Sequence, residues 1–186
     1  MSDSLTLLYT HQLRGDLTLL PRLYTHIRRL HESIDGRILL LDLGDSCAPE
    51  VWHCAVTGGR STLIGLDALG YHAANINGVL NPINRAKLAE QVALTLHDGG
   101  EYHDAAAGVT LRLTPQAQTQ WVDGVLHLAA VAQGAIGQVK IVSPDVLDVQ
   151  VHPLPADALP DPTIAGVVDF ILSEARYAQK KRDGEV

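Results

Sequence analysis

Residues 37–45 read RILLLDLGD. From Arg37 to Leu43 the run is apolar apart from Asp42, the pattern of a strand covered on both faces, and Gly44 and Asp45 end it. Such a strand belongs in a parallel sheet, and its flanks supply the helices. Upstream, Leu19, Leu20, Leu23, Ile27 and Leu30 recur at helical steps between Asp16 and about Ser33, while Arg22, Arg28, Arg29 and Glu32 take the other face. Pro21 falls in the first turn of that helix, where it is tolerated. Before it, Leu5 to Tyr9 is a short β-prone run followed by polar residues. Downstream, a loop with Pro49 and Gly58-Gly59 leads to a helical pattern over Ser61–Leu69, closed by Gly70, and then to a third strand over Tyr71–Ile76. Strand, helix, strand, helix, strand in this order predicts a parallel sheet wound with right-handed crossovers. Asn81-Pro82 opens a third helix running to about Leu94, and Asp98-Gly99-Gly100 breaks the pattern.

The second half changes character. Val109–Leu113, Val125–Ala132, Gly137–Val142 and Val146–His152 are short, β-branched and separated by turns, which predicts a meander of antiparallel strands. Pro153 to Pro162 is a proline-rich connector, and a last helix spans about Thr163–Lys180. The fold class is therefore α/β: a parallel βαβαβ amino-terminal half, then an antiparallel meander and a carboxy-terminal helix. With 186 residues, 46% hydrophobic and 19% charged, the chain suits one domain over 1–186, with a βαβαβα half over 1–96 and a β-rich half over 97–186. Disorder is excluded.

Fourteen Lys and Arg against 21 Asp and Glu give a formal charge of −7. That balance repels phosphate backbones and anionic lipid, so neither nucleic acid nor membrane is the expected partner. No stretch approaches the roughly 20 apolar residues of a membrane helix, and the acidic start lacks a basic leader region. The expectation is a soluble cytoplasmic chain. Cys47 and Cys54 are too few for a disulfide framework; free thiols are the default, with a single bridge left open.

In a parallel sheet, ligands bind beyond the carboxyl ends of the strands. The residues there are Thr10, His11 and Gln12 after the first strand, Asp42 and Asp45 at the second, and His72, Asn75 and Asn77 around the third. Oxygen and imidazole groups of this kind suit a divalent metal, although strand ends are commonly polar because loops are solvated. Cys47, His53 and Cys54 share a loop beside the two aspartates, and thiolate with imidazole is zinc chemistry. Their spacing lacks the usual C-x2-C knuckle, and a Cys47 nucleophile paired with His11 or His53 would have its pKa raised by the carboxylates, so inert thiols are expected. Gly58-Gly59-Arg60-Ser61 precedes a helix without phosphate-loop spacing, which favours capping over phosphate binding.

The segments THQLRGD at the first strand, LLLDLGDSC at the second and LIGLDALGYHAANING before and through the third resemble the amino-terminal domain of 5'-nucleotidases and UDP-sugar hydrolases, which are calcineurin-like metallophosphoesterases. The resemblance covers Leu5 to Asn81 and implies a metallophosphoesterase-like fold with a two-metal site. It also locates the departures. Thr10 and Gly15 match, but the family's metal-binding aspartate falls on Gln12 and its metal-binding histidine on Arg14. Asp45 falls on the bridging aspartate. In the third motif the ligand asparagine and catalytic histidine fall on Gly78 and Val79, or, after a one-residue shift, on Asn77 and Gly78. Downstream G-H and G-H-x-H motifs are missing, since His103, His127 and His152 lack flanking glycines.

Three readings follow. The first is a non-catalytic, 5'-nucleotidase-like protein with an eroded metal site, no catalytic residue and no cofactor, whose role is binding or assembly; its pocket is drawn from His11, Gln12, Arg14, Asp42, Asp45, His72, Asn75 and Asn77. The second is a nucleotidase-type phosphoester hydrolase with a rearranged set, Asp42, Asp45, His11, His72 and Asn77, using Mn, Fe or Zn; Asp45, Asn77 and His11 are the residues that would hold any metal. The third is an oligomeric module joined through an exposed sheet edge or helix face. Gln12, Asp45 and Asn75–Asn77 are expected to converge at the carboxyl edge. Arg14 and the Gly15-Asp16 helix start offer a small anion or phosphate site, and the expected alternative is a closed salt bridge from Arg14 to Asp16, Asp42 or Asp45.

Overall fold

The structure, a computed structural model, describes residues 4–143 and 146–184. Its first strand, β1 (Leu5–Thr10), leads through a 3-10 turn at Leu17–Leu19 into α1 (Leu20–Glu32) and then β2 (Arg37–Asp42). Two helices, α2 (Trp52–Thr57) and α3 (Arg60–Ala68), precede β3 (Ala73–Asn75), and α4 (Pro82–Ala89) precedes β4 (Thr95–His97). Strands β1 to β4 are parallel neighbours in sequence order, as the alternation of strand and helix predicts.

Two elements of this half escape the sequence pattern. The helix expected to reach Leu94 stops at Ala89, because the Asp67 carboxylate accepts the N–H groups of Ala93 and Leu94 at 2.9 and 2.8 Å and turns the chain into a fourth parallel strand. The loop before Gly58-Gly59 contains α2, whose Thr57 hydroxyl donates to the His53 carbonyl and whose end is turned by Gly58 in the left-handed conformation.

The second half is not one antiparallel meander. Strands β5 (Glu101–Asp104), β6 (Val109–Gln116), β7 (Gln120–Val122) and β8 (Val125–Ala129) form a separate sheet in the order β5-β6-β8-β7, in which β6 and β8 run parallel. Strands β9 (Ile136–Ser143) and β10 (Val146–His152) return to the first sheet and pair antiparallel beside β1, giving the order β10-β9-β1-β2-β3-β4. The final helix, α5 (Pro162–Asp183), is capped by the Asp161 carboxylate, which accepts from the N–H groups of Thr163 and Ile164.

The first sheet is covered on both faces, which is why β1 and β2 are mostly apolar on both sides, without a polar–apolar alternation along β2. Leu8, Leu40 and Ala74 join Leu20, Leu23, Leu63, Leu66, Ile164 and Ile171 of the helices in one core. The alternate residues Leu7, Tyr9, Leu39, Leu41 and Ala73 pack on Leu111, Leu113, Leu126 and Leu128 of the second sheet in the other. The layers are therefore helices, sheet, sheet. Among the described residues, no helix is long and apolar enough to cross a membrane.

Tyr9 is fully buried opposite Gly137 in the β1–β9 ladder, and a Cβ at Gly137 would overlap its ring. Gly137→Ala is expected to lower stability by about 1–3 kcal/mol in urea unfolding. Gly166→Ala, at an exposed site on α5 where a Cβ meets nothing, should raise it by about 0.5–1 kcal/mol.

Candidate functional site

At the carboxyl edge of the first sheet the β1 and β2 backbones remain hydrogen-bonded beyond the strands. The Leu43 N–H donates to the Thr10 carbonyl at 2.8 Å, Gln12 N–H to Gly44 at 2.9 Å, Arg14 N–H to Asp45 at 2.8 Å and Gly15 N–H to Ser46 at 2.8 Å. Within this zipper Gln12, Arg14 and Asp45 adopt positive φ angles of 51, 53 and 52°. Non-glycine residues take up that conformation at a cost of roughly 1–3 kcal/mol each, and here interloop bonds hold it. Of the convergence expected for Gln12, Asp45 and Asn75–Asn77, these bonds join the Gln12 and Asp45 loops, and Asn75 meets them through the Leu43 carbonyl.

Several side chains at this edge have ties of their own. Gln12 donates from Nε2 to the Val131 carbonyl at 3.1 Å, and Gln133 from the same downstream loop donates to the Leu13 carbonyl at 3.1 Å. Arg14 pairs with Glu50 at 2.7 Å. This corrects the expected closure onto Asp16, Asp42 or Asp45: the Asp16 carboxylate instead caps Thr18, and Asp42 is buried out of reach. The amides proposed as an anion cradle are also engaged, Gly15 N–H with Ser46, Asp16 with Leu13 and Leu17 with Gly15. Asn75 is buried; it donates to the Leu43 carbonyl at 3.1 Å and accepts from the Asn77 N–H at 3.0 Å, which leaves the Asn77 side chain on the exposed rim.

His72 is not part of the site. It precedes β3, on the side away from the carboxyl edge, about 10 Å before Asn75 at the rise of a strand. Its Nδ1 accepts from the Leu40 N–H at 3.0 Å, and the residue is otherwise exposed.

Asp42 lies beneath the edge, fully enclosed, with Thr10 Oγ1 and the Gly44 N–H each 3.2 Å from its carboxyl oxygens and Tyr71 Oη 3.0 Å from Thr10. Burial is the main reason its pKa rises from 3.8 to about 8, ahead of the hydrogen bonds that lower it. At neutral pH it is a protonated, neutral structural group. Beside Asn77, the side chains left at the rim are Asp45, 71% exposed, and His11, whose Nε2 is 3.7 Å from the Asp45 carboxylate.

A two-metal centre needs a bridging carboxylate and several further N and O ligands holding ions about 3.5–4 Å apart. The residues here do not fit one. Gln12 and Arg14 are engaged, Asp42 is neutral, Asn75 is bonded on both sides, and the buried Nδ1 of His11 has no partner among the described residues to orient the ring as a ligand.

Behind the zipper, Cys47 and Cys54 form a disulfide, with Cα atoms 5.8 Å apart. Free thiols were the expectation; α2, unread in the sequence, turns Cys54 back over the 44–48 loop and brings the sulfurs together. The bridge also removes Cys47 as a nucleophile in this state. His53 is buried beside it, one ring nitrogen 2.8 Å from Ser61 Oγ and Nε2 2.9 Å from the Gly15 carbonyl. Burial lowers its pKa, so it is neutral. A cleft of about 470 Å³ opens on the disulfide, lined also by Pro49, Gly59, Val79 and Asn84. Val131, Gln133 and Glu50 were missed in the sequence because nothing in their spacing refers to the first loop; only the packing of the second sheet and of α2 places them there.

The helix–sheet–sheet layers and the edge between β1, β2 and β3 define the class: this is the fold of the calcineurin-like phosphoesterases. Among solved structures the chain is similar to the calcineurin-like phosphoesterase YfkN from Bacillus subtilis (TM-score 0.63, 8% identity, 96% of this chain and 99% of that one). It is similar also to the 5'-nucleotidase precursor from Thermus thermophilus (0.60, 10%, 98% and 59%) and to the NAD nucleotidase NadN of Haemophilus influenzae (0.55, 10%, 98% and 60%). The chain thus spans about three-fifths of each nucleotidase chain. No family model matches the sequence, and comparison with curated proteins finds no match. At identities this low the structural overlap establishes the fold alone.

Asp42 sets a pH dependence. Between about pH 4 and 8 the unfolded chain has lost the Asp42 proton and the folded chain keeps it, so stability falls as pH rises, by up to about 1.4 kcal/mol per unit. Asn resembles the protonated acid: its amide can donate to Thr10 while its oxygen accepts from Gly44. Asp42→Asn is expected to flatten this slope and to be the more stable protein at pH 8, in urea unfolding at a series of pH values. Parallel slopes for the two proteins would show Asp42 to be ionised.

Proposed function

We propose that the chain is a non-catalytic protein on the metallophosphoesterase fold, whose two-metal site has been replaced by internal ties and whose remaining role is binding or assembly. The observation that carries this reading is the fate of the two positions where the resemblance places metal ligands: Gln12 donates to the Val131 carbonyl and Arg14 pairs with Glu50. A guanidinium stays protonated at any working pH and repels a divalent ion placed beside it. The alternative, a nucleotidase-type hydrolase with a rearranged ligand set, needs His72 and an ionised Asp42, and neither is disposed for it.

Purified protein with its disulfide intact is expected to hold no pair of divalent ions by elemental analysis. It should not turn over p-nitrophenyl phosphate or nucleoside monophosphates with Mn2+, Fe2+ or Zn2+ added. Phosphate and nucleoside monophosphates should leave the thermal midpoint unmoved, since Glu50 neutralises Arg14; a ligand that binds the native state must raise it. About two metals per chain, or turnover abolished by Asp45→Ala, would establish the hydrolase reading.

The assembly role has an observation of its own. Strand β10 is an edge of the first sheet with Val146, Val149 and Val151 exposed at 53, 43 and 57%. A second copy paired antiparallel about Val149 would set Leu147 opposite the partner's Val151 and Asp148 opposite the partner's Gln150, a self-complementary register. Light scattering should find a dimer that Val149→Asp converts to monomer; a wild-type monomer at high micromolar concentration would exclude this assembly.

A further inference from the structure

We propose that reduction of the Cys47–Cys54 disulfide converts the buried Cys47, His53, Cys54 cluster into a binding site for one zinc ion, separate from the eroded edge where the resemblance places metal. The ligand atoms of the three side chains already lie within 4.8 Å of one another, and all three residues are buried. Tetrahedral zinc asks for Zn–S bonds of about 2.3 Å and Zn–N bonds of about 2.0–2.1 Å, so the sulfurs need only part from their covalent contact and settle about one ion.

The surroundings favour ligation. The Gly15 carbonyl can only accept, so His53 carries its proton on Nε2 and presents an unprotonated Nδ1 towards Ser61. A ligating histidine is ordinarily oriented in this way, through a backbone carbonyl on its other nitrogen. Around the sulfurs stand hydroxyl groups: Thr62 Oγ1, 3.4 Å from Cys47 Sγ, can donate to a thiolate, and Ser61 Oγ lies 3.5 Å from Cys47 Sγ and 3.8 Å from Cys54 Sγ. Ser61 Oγ or a water completes the tetrahedron. The cleft of about 470 Å³ that includes both cysteines in its wall gives reductant and ion a way in.

The steps balance. A thiol reductant gives two electrons and two protons to the S–S bond and leaves as its own disulfide. Zn2+ then displaces both thiol protons to solvent as two Zn–S bonds and one Zn–N bond form. A reducing cytosol, the compartment expected from the sequence, would hold the pair in the dithiol state that this site needs.

The test is titration of the full chain with Co2+ and with Zn2+, oxidised and after reduction under anaerobic conditions, with circular dichroism reporting the fold of each sample. The reduced chain is expected to take up one ion, with near-ultraviolet thiolate-to-cobalt absorption and tetrahedral visible bands, and the oxidised chain none. Cys47→Ser should abolish binding, His53→Gln should weaken it by roughly 10- to 100-fold, the size of effect seen even for outer-shell partners, and Asp45→Ala should leave it unchanged. Equal uptake by oxidised and reduced chains, no uptake by folded reduced chain, or uptake indifferent to Cys47→Ser or to His53→Gln would overturn the proposal. If Cys47→Ser does not fold, the oxidised and reduced wild-type samples decide it. An ion lost in Asp45→Ala and kept in Cys47→Ser would instead count against the eroded edge.

Discussion

The backbone zipper between the loops after β1 and β2 is the constraint on which the site depends. Parallel strands normally part at their carboxyl ends, and loop amides then turn to water or ligand. Here four successive bonds, from Leu43 to Thr10, Gln12 to Gly44, Arg14 to Asp45 and Gly15 to Ser46, carry the pairing onward. Continuing it forces three non-glycine residues into left-handed backbone. That strain is sustained because each residue is held from several sides at once.

The zipper is wedged from behind. His53 takes the Gly15 carbonyl, and Cys54 stands so close to Gly15 that a Cβ there would lie 2.8 Å from its sulfur. Gly15, with φ of 83°, is required both for its conformation and for its lack of a side chain. From the front, Gln12 donates to the Val131 carbonyl and Gln133 to the Leu13 carbonyl, tying the first loop to the 131–133 loop that follows the second sheet. The loops at this edge are thus held together by the protein's own polar groups. Even the acid deepest in the site, Asp42, is kept neutral by its enclosure.

Much of this fold was legible in the sequence for a simple reason. Burial on both faces leaves an unbroken apolar run such as RILLLDL, and amphipathic spacing marks α1, so the parallel half could be read locally. Strand β4 could not, because it exists through the Asp67 side chain taking two amides from another segment. Strands β9 and β10 were visible as strands, but their return to the first sheet was not, since strand pairing across more than a hundred residues leaves no local periodicity.

The same division holds at the site. Residue order by itself determined that Gln12, Arg14 and Asp45 follow parallel strands and so meet at one edge; that they stand at metal-ligand positions is what the family resemblance implies. Tertiary structure alone decided what they do there. It gave Arg14 to Glu50 rather than to an aspartate, set His72 away from the edge, neutralised Asp42 and closed Cys47 on Cys54 through a helix the sequence did not announce. Periodicity records which face of an element is dry. The partner of a polar side chain depends on distances between elements remote in the chain, and those exist only once both cores have packed.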